Sequence, residues 1–135
     1  MKLITRNVDY CIRSLVYMAA CKKDIVCAEE MARHLNMPRP FLRKILQVLH
    51  KKGMLKAYKG KNGGFKLAVN PKKIFLLDLI TAFHGPIKVV EHLFKKKCCP
   101  FTECCIVKKK MDKIEKYVIS ELKDITIYSL VGCKK

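Results

Sequence analysis

Asn36-Met37-Pro38-Arg39-Pro40-Phe41-Leu42-Arg43-Lys44-Ile45-Leu46-Gln47-Val48-Leu49-His50-Lys51-Lys52-Gly53 is the stretch that decides the fold. Asn36, Met37 and Pro38 read as a tight turn, and Pro40 opens a helix at a position where its missing N–H goes unused. Leu42, Ile45, Leu46 and Leu49 share the inner face of that helix. Arg43, Lys44, Gln47, His50 and Lys51 take the outer face until Gly53 stops it. Just upstream, Cys27-Ala28-Glu29-Glu30 is a capping-box pattern with Cys in the Ser/Thr place, and it starts a short helix to about Leu35. A short helix, a tight turn and a basic outward-facing helix make a helix-turn-helix.

Downstream, residues 54–58 read as a strand, Lys59-Gly60-Lys61-Asn62-Gly63-Gly64 as a turn suited to positive φ, and residues 65–69 as the returning strand. A basic hairpin directly after a basic helix predicts a winged helix-turn-helix, mainly α with a small β-hairpin wing. The turn is no phosphate loop, because the G-x-x-x-x-G-K-[ST] spacing is absent and the context is a hairpin. Toward the N-terminus, Val8, Ile12, Leu15 and Ala19, flanked by Cys11 and Met18, mark the apolar face of a first helix over about residues 7–20. In this frame Cys11 is core, Cys21 ends the helix and Cys27 is a cap.

Charge supports the same reading. The 135 residues carry 29 Lys and Arg against 11 Asp and Glu, a net charge of +18. Residues 1–90 hold 18 of the bases and only 5 of the acids, and no acid falls between Glu30 and Asp78, a window with 12 bases. A general preference for lysine explains a high total but not an acid-free window, which is the field a polyanion requires. Half the residues are hydrophobic, enough for a core without disulfide staples. The early apolar run is broken by Asp9 and Arg13, so it reads as a helix and not as a signal peptide. Asp78 likewise interrupts the best candidate for a membrane span, residues 74–83. The expectation is a cytoplasmic protein whose thiols are reduced.

Two further features lie in the C-terminal third. Val107, Met111, Ile114, Val118, Leu122 and Ile125 form one apolar stripe along a helix of roughly 20 residues, with Lys109, Lys110, Lys113 and Lys116 outside it. A helix this long at the end of a small domain seeks either a twin across a two-fold axis or its own core. Ahead of it, Cys98, Cys99, Cys104 and Cys105 crowd into eight residues behind Lys95, Lys96 and Lys97. Five residues separate Cys98 from Cys104 and Cys99 from Cys105, which departs from the C-x(2-4)-C pairs of structural zinc. Dense thiolates beside lysines suit an iron-sulfur cluster, and they equally suit a thiol-disulfide or other metal switch.

Asp9-Tyr10, Phe41-Leu42-x-Lys44-Ile45-Leu46-x-x-Leu49, Gly53-Met54-Leu55, Lys59-Gly60-x-x-Gly63-Gly64-Phe65-x-Leu67, Asp78-Leu79-Ile80-x-Ala82-Phe83-x-Gly85 and Ile125-Thr126-Ile127-x-x-Leu130 together resemble the winged-helix regulators of the Rrf2 family, typified by IscR and NsrR. The resemblance spans nearly the whole chain. It implies a homodimeric transcription regulator, often a repressor, bound to a pseudo-palindromic double-stranded DNA operator. The helix from Pro40 then lies in the major groove and the wing at Lys59 and Lys61 in the minor groove. Arg43 and Lys44 stand where members often carry acidic or amide base readers, and they suit guanine acceptors or phosphates; Gln47 is a further contact and Arg39 a phosphate anchor. Residues 1–70 form the DNA-binding region, 71–105 a linking helix and cysteine-rich sensor loop, and 106–135 the dimerisation helix and tail.

The resemblance also implies a two-iron or four-iron cluster. Counting back from Thr126, Cys99 and Cys105 match the middle and last ligands of cluster-binding members, and the first falls at Leu93, so Cys98, Cys104 or His92 substitutes. Asp9 aligns with a non-cysteine ligand supplied by the partner's first helix in some members. Against an enzyme, the four histidines fall in no H-E-x-x-H or triad-like setting, and no G-x-S-x-G or dinucleotide fingerprint occurs. A basic adaptor that binds another protein through the C-terminal helix is the remaining alternative, separated by its lack of sequence-dependent DNA binding.

Overall fold

A computed structural model describes residues 2–21, 23–88 and 106–132. The first helix, α1 (Arg6–Ala20), buries Val8, Cys11, Ser14, Leu15 and Met18. Ser14 is satisfied there because its hydroxyl donates to the Tyr10 carbonyl at 2.7 Å. Burial pushes the Cys11 thiol up to about 12, the state of an inert core cysteine. Cys21 ends the helix, its N–H donating to Tyr17 O at 2.9 Å.

Two helices cross on this base, α2 (Ala28–Leu35) and α3 (Arg39–Lys51). Cys27 takes the N-cap position of α2, but its side chain makes no capping hydrogen bond. A thiol is a weak acceptor. Glu30 turns instead to the Lys23 ammonium at 3.0 Å, and that hydrogen bond holds its carboxyl below the usual carboxylate range. The capping box read from the sequence therefore does not form. Asn36 adopts the left-handed conformation (φ 54°, ψ 50°), so the Met37 N–H reaches back 2.9 Å to Ala32 O and the chain reverses into α3. The far end of α3 closes the same way: at Gly53 (φ 81°) the Met54 N–H donates to Leu49 O and the Gly53 N–H to His50 O, both at 3.0 Å. Leu42, Ile45, Leu46 and Leu49 are buried beneath it.

The wing is an antiparallel pair, β1 (Leu55–Tyr58) and β2 (Gly64–Leu67). The returning strand starts at Gly64, one residue earlier than the sequence suggests, because Tyr58 pairs with Gly64. Val26, in the loop after α1, adds a bridge to Phe65 through two hydrogen bonds of 2.9 Å. The approach is so close that a Cβ on Gly64 would stand 2.4 Å from the Val26 carbonyl oxygen.

A 3₁₀ turn (Pro71–Lys73), opened by the Asn70 side chain accepting from the Lys72 N–H, leads to α4 (Leu76–His84). The long C-terminal helix, α5 (Ile106–Leu122), stops short of Ile125, and a separate α6 (Ile127–Val131) follows. The break is held by a capping box in which Thr126 and Ser129 exchange side-chain to backbone hydrogen bonds of 3.1 Å. On either side of it, Ile125 O accepts from the Leu76 N–H and the Ile127 N–H donates to Ile74 O, both at 2.9 Å. Ile127 is thereby buried in the main core with α1.

Two apolar clusters result. The larger joins Cys11, Leu15, Leu42, Leu46, Leu49, Leu55 and Phe65 beneath the helix-turn-helix and wing. The smaller joins Val8, Leu76, Ile80 and Ile87, with Val118, Ile119, Leu122 and Ile125 leaning on it. Ile12 and Phe83 touch both. The apolar stripe of α5 is thus divided: its C-terminal half packs on its own protomer, while Val107 (63% exposed) and Ile114 (46%) stay exposed and join neither cluster among the described residues. Gly64→Ala is expected to lower unfolding stability by ~1 to 3 kcal/mol through overpacking against Val26, measured as a fall in the urea midpoint. An unchanged midpoint would show that the wing is not stitched to the α1–α2 loop.

Candidate nucleic-acid interface

The inner apolar ridge of α3 turns Arg43, Lys44, Gln47, His50 and Lys51 outward, and all five are exposed. Between α3, the start of α2 and the wing runs a groove of about 560 Å³ lined by Arg39, Arg43, Gln47, Lys59 and Lys61. Five of the six positions expected to contact DNA therefore converge on one concave surface. Lys44 is exposed on α3 but is not among the side chains lining it. The His50 ring does not point free into solvent; its Nδ1 lies 3.0 Å from Leu55 O and ties α3 to the first wing strand.

Wing pairing adds to the field. Lys56 stands directly opposite Lys66. Like charges across a strand pair cost stability, and a polyanion relieves that cost. The groove also takes in Cys27, Glu29 and Tyr58, which the reading of the sequence did not count among the DNA contacts. Tyr58 was legible as the last strand residue before the glycine turn. The role of Glu29 was not, because its partner Arg39, 2.6 Å away, sits ten residues on across a turn.

The predicted sensor residues Cys98, Cys99, Cys104 and Cys105, with His92, lie outside the described residues. Asp9 is described: it lies in the first turn of α1, where Arg13 approaches it at 3.1 Å, and its side chain keeps 40% of its exposure. Among the described residues no group of three or more His, Cys, Asp or Glu is placed to hold a metal ion, and Cys11, Cys21 and Cys27 are free thiols. No described helix is long and apolar enough to cross a membrane.

The model of the Rrf2 family, described as an iron-dependent transcriptional regulator, matches residues 4–132. The chain belongs to the Rrf2 family. An HTH-type transcriptional regulator of Aquifex aeolicus (strain VF5) is 33% identical to it over 135 residues, covering 98% of this chain and 94% of that one. Among solved structures, CymR, the global cysteine regulator of B. subtilis, superposes with a TM-score of 0.81 at 21% identity over all of both chains. T. potens IscR superposes with a TM-score of 0.74 at 22% identity, covering 98% of this chain and 87% of that one. The winged-helix fold of this Rrf2 protein is that of transcription regulators, as the order of its motifs implies.

Arg43→Ala is expected to relax base preference at a cost of ~1 to 3 kcal/mol. Lys61→Ala should instead weaken binding to all sequences alike and flatten the salt dependence by about one phosphate contact. Equal losses on selected and random duplexes for both variants would remove α3 as the base-reading helix.

Proposed function

We propose that this Rrf2-family regulator is a homodimer that binds a pseudo-palindromic operator, as a repressor, with α3 in the major groove and the wing tip in the minor groove. The observation that carries the reading is the groove where Arg39, Arg43, Gln47, Lys59 and Lys61 converge within a chain of net charge +18. In this reading residues 1–70 bind DNA, 71–105 link and sense, and 106–135 dimerise, in the cytoplasm. Exposed Val107 and Ile114, with Ile106 (72%) and Tyr117 (63%), give the N-terminal half of α5 an apolar surface that a second copy covers. The packed half then anchors that seam to α1 and α4.

The regulating group in this proposal is an iron-sulfur cluster held by Cys99 and Cys105, with Cys98 or Cys104 completing the loop ligands and Asp9 reaching from the partner's first helix. Thiolates with one carboxylate suit iron. Such a group supplies a link between protomers that oxidants or competing ligands can break. A second reading has specific support: CymR, described as a global cysteine regulator, shares this fold over its full length, and in that reading the same four cysteines act as a thiol-disulfide switch.

Val107→Glu with Ile114→Glu leaves both apolar clusters intact, since neither residue belongs to either cluster among the described residues. The variant is expected to sediment as a folded monomer with operator affinity lost; an unaltered dimer would place the seam elsewhere. After anaerobic reconstitution, wild-type protein should carry iron, acid-labile sulfide and visible absorbance, and Cys99→Ser or Cys105→Ser should abolish all three, whereas Cys11→Ser and Cys21→Ser should leave them. Reconstituted wild type without iron or sulfide, but with operator binding sensitive to diamide, would establish the thiol switch instead.

A further inference from the structure

Glu29 stands apart electrostatically. Among the described residues it is the single acidic side chain lining the groove, where it faces Arg39, Arg43, Lys59 and Lys61. Its Oε1 lies 2.6 Å from Arg39 Nη2, so the pair bridges the N-terminal turns of α2 and α3. A carboxylate in the first turn of a helix is ordinarily explained by the helix dipole. Glu30, in the same first turn, pairs with Lys23, and the dipole does not account for a side chain directed onto Arg39. Nor is stability the reason, because Glu29 and Arg39 are 59% and 51% exposed and exposed pairs contribute little.

We propose that Glu29 sets the strength of the sequence-independent grip on DNA by occupying Arg39 as an internal stand-in for a backbone phosphate. The inference rests on the DNA-binding reading above. Carboxylate and phosphate present the same acceptor geometry to a guanidinium, so each competes for the same N–H donors. Arg39 contacts DNA only by exchanging one anion for another, and that exchange gains less than capture of a phosphate by an unpaired guanidinium. A chain of net charge +18 is held by any duplex it meets. A competitor at one anchor loosens that hold while leaving the base-facing side chains of α3, Arg43 and Gln47, unchanged.

A random-sequence duplex tests this without knowledge of the operator, by fluorescence anisotropy of the full chain across a potassium chloride series. Glu29→Gln is expected to bind about two- to five-fold more tightly, the size of an exposed ion pair. Its log K against log salt line should steepen by about 0.9, one additional phosphate contact. Arg39→Gln should weaken binding, and in that background Glu29→Gln should add nothing, while Glu121→Gln, which removes the same charge from α5, should leave the slope unchanged. Unchanged or weaker binding by Glu29→Gln overturns the inference, as does an equal gain in the Arg39→Gln background, which would mean that Glu29 acts by repulsion and not through Arg39. Failure of the wild type to bind duplex at low salt overturns the DNA-binding reading itself, and this inference with it.

Discussion

The groove beside α3 and the long C-terminal helix both hang on the packing of α1. Its fully buried positions point two ways: Cys11 and Leu15 into the core beneath the helix-turn-helix and wing, Val8 into the cluster that seats α4 and α5. Ile12 touches both clusters, so the helix is a shared wall and not the edge of either. Buried apolar area stabilises at roughly 25 cal/mol per Å², and close-packed interiors transmit displacement where they have no room to absorb it. A shift of α5 against α1 is therefore felt beneath α3. That continuity mechanically connects the C-terminal helix with the groove beside α3.

The groove is built by three backbone devices, none carrying charge. Left-handed Asn36 sets the angle between α2 and α3, Gly53 turns the chain out of α3, and Gly64 lets the wing approach Val26 closely enough to pair. With those fixed, the lysines and arginines need only long side chains on rigid supports. The ion pair of Arg39 with Glu29 is the exception, since it restrains one of those bases by a charge and not by the backbone.

The two halves of α5 differ in how their apolar residues are covered. Val118, Ile119, Leu122 and Ile125 lean on the protomer's own core, whereas Ile106, Val107, Ile114 and Tyr117 stay exposed. The capping box at Thr126 then returns the chain, so that Ile127 closes the main core under α1.

The sequence by itself determined the elements whose signals are local. The 3.6-residue period of Leu42, Ile45, Leu46 and Leu49, the prolines and glycines around them, and the acid-free window were enough for a basic helix followed by a wing. Local signals misled where a side chain had a better partner elsewhere. Cys27 and Glu30 spell a capping box, but Lys23 captured the carboxylate; Thr126 and Ser129 form the box that breaks the C-terminal helix, hidden because the apolar spacing runs on through Ile125. Tertiary structure alone decided which half of α5 is buried, that Val26 joins the wing, and that Glu29 meets Arg39 in the groove. Periodicity records that a face is apolar but not what covers it, and a contact across a turn or between distant segments depends on chain geometry that no local pattern encodes.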